Sequence, residues 1–139
     1  MYKLLKKSDK SKARRAEVMT AHGVIQSPFF MTIATRGAVK TLTTDDMRRL
    51  EAPIILSNTY HLNLRPGPES LDKLGGLHEF MRWQGPILTD SGGYQVFSLA
   101  KMRKLTEEGV SFKEPQSGAS VELNPEKVID IQLAIGSDI

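Results

Sequence analysis

The sequence lacks cysteine entirely, and it also lacks any long apolar run. Without cysteine, neither a disulfide framework nor a thiolate zinc site can form within these 139 residues. This fits a reducing compartment, and we expect a cytoplasmic protein. No apolar run approaches the length of a membrane span, and Met1 to Leu5 is too short and too polar for a secretory signal. We therefore expect no membrane partner.

Charge is unevenly distributed along the chain, although the net charge is only +3. Residues 1–15 hold seven of the 19 basic side chains and one acid, Asp9. We predict a basic N-terminal tail at residues 1–13 and one domain at residues 14–139. The tail could contact RNA phosphates, or it could be a solvated segment whose lysines aid solubility. A mitochondrial address is a third interpretation, against which Asp9 and the lack of a clear amphipathic stripe argue.

The segment at residues 89–95, T-D-S-G-G-Y-Q, carries the densest chemistry in the chain. It follows a short apolar run that predicts a buried strand, so its polar groups fall at the strand exit. Two glycines allow the backbone to approach a planar ligand closely, and the tyrosine offers a flat face for stacking. These features predict a heterocycle-binding site formed by Asp90, Ser91, Gly92, Gly93 and Tyr94.

This segment has two other interpretations. Asp-Ser-Gly-Gly is also common turn chemistry, in which Asp90 merely caps a glycine turn after a strand. The same letters resemble trypsin-like serine proteases, with His22 as the histidine. That interpretation fails because Tyr94 stands where the protease pattern has proline, no cysteine is present, and His22 lies too near the N-terminus.

Apolar runs and turn residues predict alternating strands and helices. A hairpin is expected over residues 14–30 with its turn at His22–Gly23. Predicted buried strands are 29–33, 54–56 and 87–89, and predicted short helices are 43–50, 69–74 and 78–82. An insertion with strands 110–112 and 121–123 around a turn at 116–118 precedes a helix capped by Asn124 and ended by Gly136.

Strand–helix repeats with polar residues at each strand exit predict a parallel α/β sheet whose site lies at the carboxyl ends of the strands. The expected fold is the N-terminal portion of a (β/α)8 TIM-type barrel, preceded by a small antiparallel β element. A complete barrel needs about 250 residues. These 139 residues can supply only about its first half. We therefore interpret the chain as a fragment.

Four segments in a fixed order resemble the tRNA-guanine transglycosylase (queuine tRNA-ribosyltransferase) family. They are S-N-T-Y-H-L at 57–62, L-R-P-G at 64–67, L-G-G-L-H at 74–78, and the segment at 89–95. The resemblance extends from about residue 14 to residue 139. It departs at Thr32 and Ala34, where the family usually has proline and glycine, which puts the first strand exit in doubt but not the base pocket.

The resemblance implies an enzyme of queuosine biosynthesis that exchanges the wobble guanine of tRNA for a 7-deazaguanine base, preQ1 or queuine. Asp90 matches the general acid/base residue, which acts as proton acceptor and binds the guanine-like edge. Residues Ser91 to Gly93 match the loop lining the base pocket, and Tyr94 matches the aromatic that packs on the base. Asn58 matches a position near the tRNA ribose.

Other parts of the implied machinery have no counterpart in these 139 residues. They are the nucleophilic aspartate, further base-recognition residues and a cysteine and histidine zinc site. We therefore expect no cofactor or metal in this chain, zinc in a homodimeric full-length protein, and no activity from the fragment alone. The histidines lack close metal-ligand spacing, and His61 is interpreted as structural. The alternatives are a non-catalytic RNA-binding accessory subunit of the same family and a barrel enzyme for a free purine-like metabolite.

Overall fold

Three sheets of three strands each form the framework of the described part of the chain, residues 1–114 and 117–139. The structure is a computed structural model. The strands are β1 Tyr2–Lys7, β2 Arg14–Thr20, β3 Gly23–Gln26, β4 Thr32–Ile33, β5 Ile55–Asn58, β6 Ile87–Asp90, β7 Arg103–Leu105, β8 Val110–Lys113 and β9 Ser120–Leu123. The helices are α1 Thr44–Arg49, α2 Thr59–Leu64, α3 Pro68–Lys73, α4 Gly76–Met81, α5 Gly93–Ser98 and α6 Pro125–Ile135, with one 3-10 turn at Ala100–Met102.

The first sheet is antiparallel, in the order β1-β2-β3. Its β2–β3 hairpin confirms the predicted turn, since Thr20 pairs with Gly23. The prediction of a simple tail at residues 1–13 was wrong in part, because β1 pairs with β2 from Tyr2 to Lys7. Every side chain of β1 is exposed, so the lysine-rich composition suggested a tail. Backbone pairing with the edge of β2 orders the segment nevertheless.

The second sheet is parallel, in the order β4-β5-β6. Ile55 of β5 lies opposite Ile87 of β6, and both side chains are fully buried. Asp138 and Ile139 run beside β6, where Asp138 N donates to Ile87 O at 2.8 Å and Thr89 N donates to Ile139 O at 2.9 Å. The chain after α6 thus returns to the sheet next to β6.

The first predicted parallel strand is shorter than expected. Residues 29–33 were predicted as a buried strand, but only Thr32 and Ile33 pair with β5. Phe30 is 77% exposed, because pairing with β5 begins only at Thr32. The apolar composition of this segment therefore overstated both its length and its burial.

Two helices begin directly where strands end, and sequence patterns assigned no helix there. Asn58 is the last residue of β5. Its side chain accepts a hydrogen bond from His61 N at 3.0 Å and thereby caps α2. Gly92 takes the corresponding position before α5. By contrast, the predicted cap of α1 is confirmed, because Thr43 and Asp46 form a reciprocal capping box.

The core joins the parallel sheet to the helices and to the third sheet. Helix α6 packs against α3, and it also contacts α2 and α4. Its predicted limits are confirmed, since the Asn124 side chain accepts from Lys127 N and Gly136 ends the helix in the left-handed region. The fully buried apolar side chains include Tyr60, Leu62, Leu71, Leu77, Ile87, Phe112 and Ile135.

The third sheet is the predicted insertion. Its strands β8 and β9 are confirmed as an antiparallel pair, and β7 adds a strand that sequence patterns did not predict. The predicted turn at 116–118 lies partly outside the described residues. Within the described ranges, no helix has the length and apolar character needed to cross a membrane.

A buried carboxylate links the first sheet to the start of β6. Asp138 Oδ1 accepts from His22 N at 3.1 Å and lies 2.9 Å from His22 Nδ1, while Asp138 Oδ2 accepts from Ile87 N at 2.9 Å. The Asp138 side chain has no exposed surface. Burial raises its pKa, but the hydrogen bonds from Ile87 and His22 outweigh burial and leave the pKa below its usual value.

We predict that Asp138→Asn lowers the free energy of unfolding by about 2–3 kcal/mol, because an amide cannot accept all of these hydrogen bonds and carries no charge. Urea unfolding monitored by circular dichroism measures the change. The matched control is Asp130→Asn at an exposed position of α6, which should change stability by less than about 0.5 kcal/mol. Equal effects of the two substitutions would contradict the assigned link.

Candidate functional site

The carboxyl ends of β5 and β6 place Asn58 and Asp90 side by side, since the parallel register pairs these two residues. Asp90 Oδ2 accepts a hydrogen bond from the Asn58 side-chain amide. Asp90 Oδ1 accepts from Thr59 N at 3.0 Å and from Gly92 N at 3.2 Å. Three donors from two segments of chain, residues 58–59 and Gly92, therefore fix the orientation of a half-buried carboxylate.

The hydrogen-bonding capacity of this carboxylate is not exhausted. Each carboxylate oxygen can accept about two hydrogen bonds. Oδ1 already accepts two, whereas Oδ2 accepts one, from Asn58. Oδ2 therefore keeps an acceptor position for an N–H group of a ligand, and the carboxylate can also receive a proton.

Helix α6 supports the end of β6 from behind. Gln132 Nε2 donates to Thr89 Oγ1 at 3.0 Å and lies 3.3 Å from Thr89 O and 3.4 Å from Asp90 O. Thr89 Oγ1 in turn donates to Ser137 Oγ at 2.9 Å. Sequence reasoning missed Gln132. Its position four residues after Val128, on the same helix face as an apolar residue, was the pattern that could have found it.

Gly92 has a structural role, because its N–H donates to Asp90. Its predicted contact with a ligand stays a prediction. Gly92 is buried with φ +73°, and a Cβ at this position would lie 3.3 Å from Tyr60 Cβ. Glycine therefore allows the turn to pack against α2 and to hold Asp90 at the same time.

Of the other predicted residues, Gly93 begins α5, and Ser91 and Tyr94 lie on the exposed surface next to Asp90. Tyr94 is 72% exposed, so its ring is free to contact a ligand. The structure thus brings Asp90 together with Asn58 and Gly92. It leaves the predicted base-contacting roles of Ser91, Gly93 and Tyr94 as predictions.

His22, His78 and Asp138 lie together although their spacing in sequence suggested otherwise, with ligand atoms within 4.8 Å of one another. They do not fit a cysteine and histidine zinc site. The two imidazole rings stack at 3.6 Å with an interplanar angle of 19°, so their in-plane lone pairs do not converge on one ion. In this structure the hydrogen bonds of Asp138 make the group a link between β6 and the hairpin of the first sheet.

The fold and the site define an α/β protein with a half-buried aspartate carboxylate at the carboxyl ends of parallel strands. The family model described as Queuine tRNA-ribosyltransferase matches residues 9–139. Three similar proteins carry the same name. The protein of Desulforudis audaxviator is 52% identical over 139 residues, that of Shouchella clausii is 53% identical over 138 residues, and that of Psychrobacter is 57% identical over 129 residues.

The chain therefore belongs to the queuine tRNA-ribosyltransferase family. These matches cover 100%, 99% and 93% of this chain, and they confirm the resemblance drawn from its motifs. They cover 37%, 36% and 34% of the relatives, so the chain spans little more than a third of their length.

We predict that Gly92→Ala destabilises the protein by about 1–2 kcal/mol, because alanine is strained at positive φ and its Cβ would crowd Tyr60. The matched control is Gly93→Ala, where a Cβ meets only Ser91 Oγ at 3.4 Å and where φ is not in the left-handed region. Thermal unfolding of both variants measures the difference. Similar melting temperatures for the two variants would refute the role assigned to Gly92.

Proposed function

We propose that this chain is the N-terminal part of a tRNA-guanine transglycosylase that exchanges the wobble guanine of tRNA for a 7-deazaguanine base, preQ1 or queuine, in queuosine biosynthesis. The observation that carries the proposal is the Asp90 carboxylate, held by three donors and retaining an acceptor position on Oδ2. A guanine-like edge offers N–H donors that match such a carboxylate.

The order and direction of the strands also support this proposal. Strands β4, β5 and β6 are parallel neighbours in chain order, and Asp138 and Ile139 continue the series beside β6. Helices lie between successive members of the series. We propose that these elements are the first part of a (β/α)8 barrel, which places Asp90 at the catalytic face of that barrel.

Within the proposed reaction, Asp90 binds the base and takes a proton from the incoming one. Asn58 positions Asp90 and does not itself exchange protons. The nucleophilic aspartate, the remaining base-recognition residues and a cysteine and histidine zinc site would be supplied by other parts of a full-length protein. We further propose that this protein acts in the cytoplasm as a homodimer, and that the 139 residues alone are inactive.

We predict that Asp90→Asn in the full-length polypeptide lowers incorporation of labelled guanine into tRNA by at least about 100-fold, because the amide cannot accept the proton. Affinity for tRNA should stay within about twofold, since Asp90 contributes no attraction for phosphate. The matched control is Asp72→Asn, an exposed aspartate on α3, which should exchange guanine at the parental rate.

Undiminished exchange by Asp90→Asn would exclude its catalytic role. If the unsubstituted full-length polypeptide binds tRNA but incorporates no guanine, the accessory RNA-binding subunit is the correct function. If it exchanges guanine only with free nucleosides and its affinity for tRNA does not depend on salt, the enzyme acts on a small metabolite instead.

A further inference from the structure

A cavity of about 140 Å³ lies beside Asp90 and has no part in the base site described above. Tyr60 and His61 of α2 form one wall, directly after Thr59, whose backbone N–H binds Asp90. Arg36, which follows β4, Arg65, and Glu114, which follows β8, complete its polar lining. Since Arg36, Arg65 and the residues of α2 follow the carboxyl ends of β4 and β5, the cavity opens on the same edge of the sheet as Asp90.

Tyr60, which lines the cavity, carries a buried hydroxyl group that lacks a partner among the described residues. Tyr60 is 2% exposed, and its Oη has no hydrogen-bond partner within residues 1–114 and 117–139. Its ring is fixed by edge contacts with His61 and Phe112, at centroid distances of 5.2 and 5.1 Å. Buried hydroxyls are normally hydrogen-bonded, because leaving one unpaired is costly. A ligand that accepts a hydrogen bond from Tyr60 would remove that cost.

The charges around the cavity favour an anionic ligand. In the described part of the chain, Arg36 makes no ion pair, and Arg65 has one contact, to Glu114 Oε1 at 3.4 Å. The Glu114 carboxylate is also engaged by Ser117, which donates to its other oxygen from N and Oγ. Two guanidinium groups are therefore only partly compensated by one carboxylate.

His61 adds no counter-charge to this cavity. Burial, followed by the nearby Arg36 guanidinium, lowers the pKa of His61, and Asp90 only partly opposes these effects. An anion between the arginines would meet two guanidinium groups and the Tyr60 side chain, against the single Glu114 carboxylate that also lines the cavity. Arginine binds phosphate through paired N–H groups, which makes a phosphate oxygen the ligand of best fit.

We propose that this cavity binds a backbone phosphate of the RNA next to the nucleotide that reaches Asp90. The inference rests on the proposed function, because it takes tRNA as the substrate. A phosphate near Asp90 would be repelled by that carboxylate, and Arg36 and Arg65 offset the repulsion. The cavity thereby sets the register of the RNA relative to Asp90.

The first test is Tyr60→Phe in the full-length polypeptide, which removes only the hydroxyl oxygen. Because that oxygen has no partner in the free protein, stability to urea should be unchanged or slightly higher. Affinity for an anticodon stem-loop RNA should fall about tenfold. A loss of stability with unchanged RNA affinity would show an internal role for the hydroxyl and overturn the proposal.

The second test replaces single phosphates of the stem-loop RNA by uncharged methylphosphonates on either side of the exchanged nucleotide. At one position the replacement should weaken binding to the parental protein by about tenfold. Arg36→Gln should weaken binding of the unmodified RNA by a similar factor and remove the effect of that replacement. The matched control is Arg49→Gln, an arginine whose side chain is 81% exposed, in which the effect should persist.

The outcomes separate the cavity from the catalytic proposal. If the protein exchanges guanine but no single methylphosphonate has an effect that depends on Arg36, the phosphate site is wrong while the transglycosylase assignment stands. If inorganic phosphate binds in an Arg36-dependent manner and does not compete with the RNA, the cavity takes a free anion, which also overturns the proposal.

Discussion

The parallel register between β5 and β6 is the constraint on which the candidate site depends. It places Asn58 opposite Asp90, so that one side-chain amide both caps α2 and binds the carboxylate. A slip of one residue between the two strands would put Asn58 and Asp90 on opposite faces of the sheet. The site is therefore a consequence of strand pairing, and Gly92 and Gln132 add support from the turn and from α6.

The two ends of the parallel sheet differ in the groups that they carry. The carboxyl ends carry Asp90, with an acceptor position open on Oδ2, and the cavity lined by Arg36 and Arg65. At the opposite end of β6, Asp138 connects Ile87 to His22 in the hairpin of the first sheet. The antiparallel sheet is thus linked to the parallel sheet at the end opposite Asp90.

Several strands and helices could be predicted from the sequence because local residue patterns specify them. Continuous apolar runs identified β5 and β6, and cap residues identified α1 and α6. The contact between His22 and Asp138 could not be predicted, because 116 residues separate the two and neither has a local pattern that names its partner. Helix α5 was missed because Gly92 and Gly93 are typical of a turn, and tertiary packing overrode that tendency.

The candidate site could also be predicted only in part from the sequence. The motif at 89–95 identified Asp90, but the donors that orient it come from Asn58 and Thr59, more than thirty residues earlier. The orphaned Tyr60 hydroxyl could only be found from burial in three dimensions. Family membership supports the reaction that we propose, which neither the geometry nor the composition specifies.

A crystal structure of the full-length polypeptide with a bound 7-deazaguanine base tests the central claim most directly. Our account predicts a ring N–H of the base about 2.7–3.2 Å from Asp90 Oδ2, with the hydrogen bond from Asn58 retained. A base bound elsewhere on the protein, or an Asp90 carboxylate turned away from the base, would contradict it.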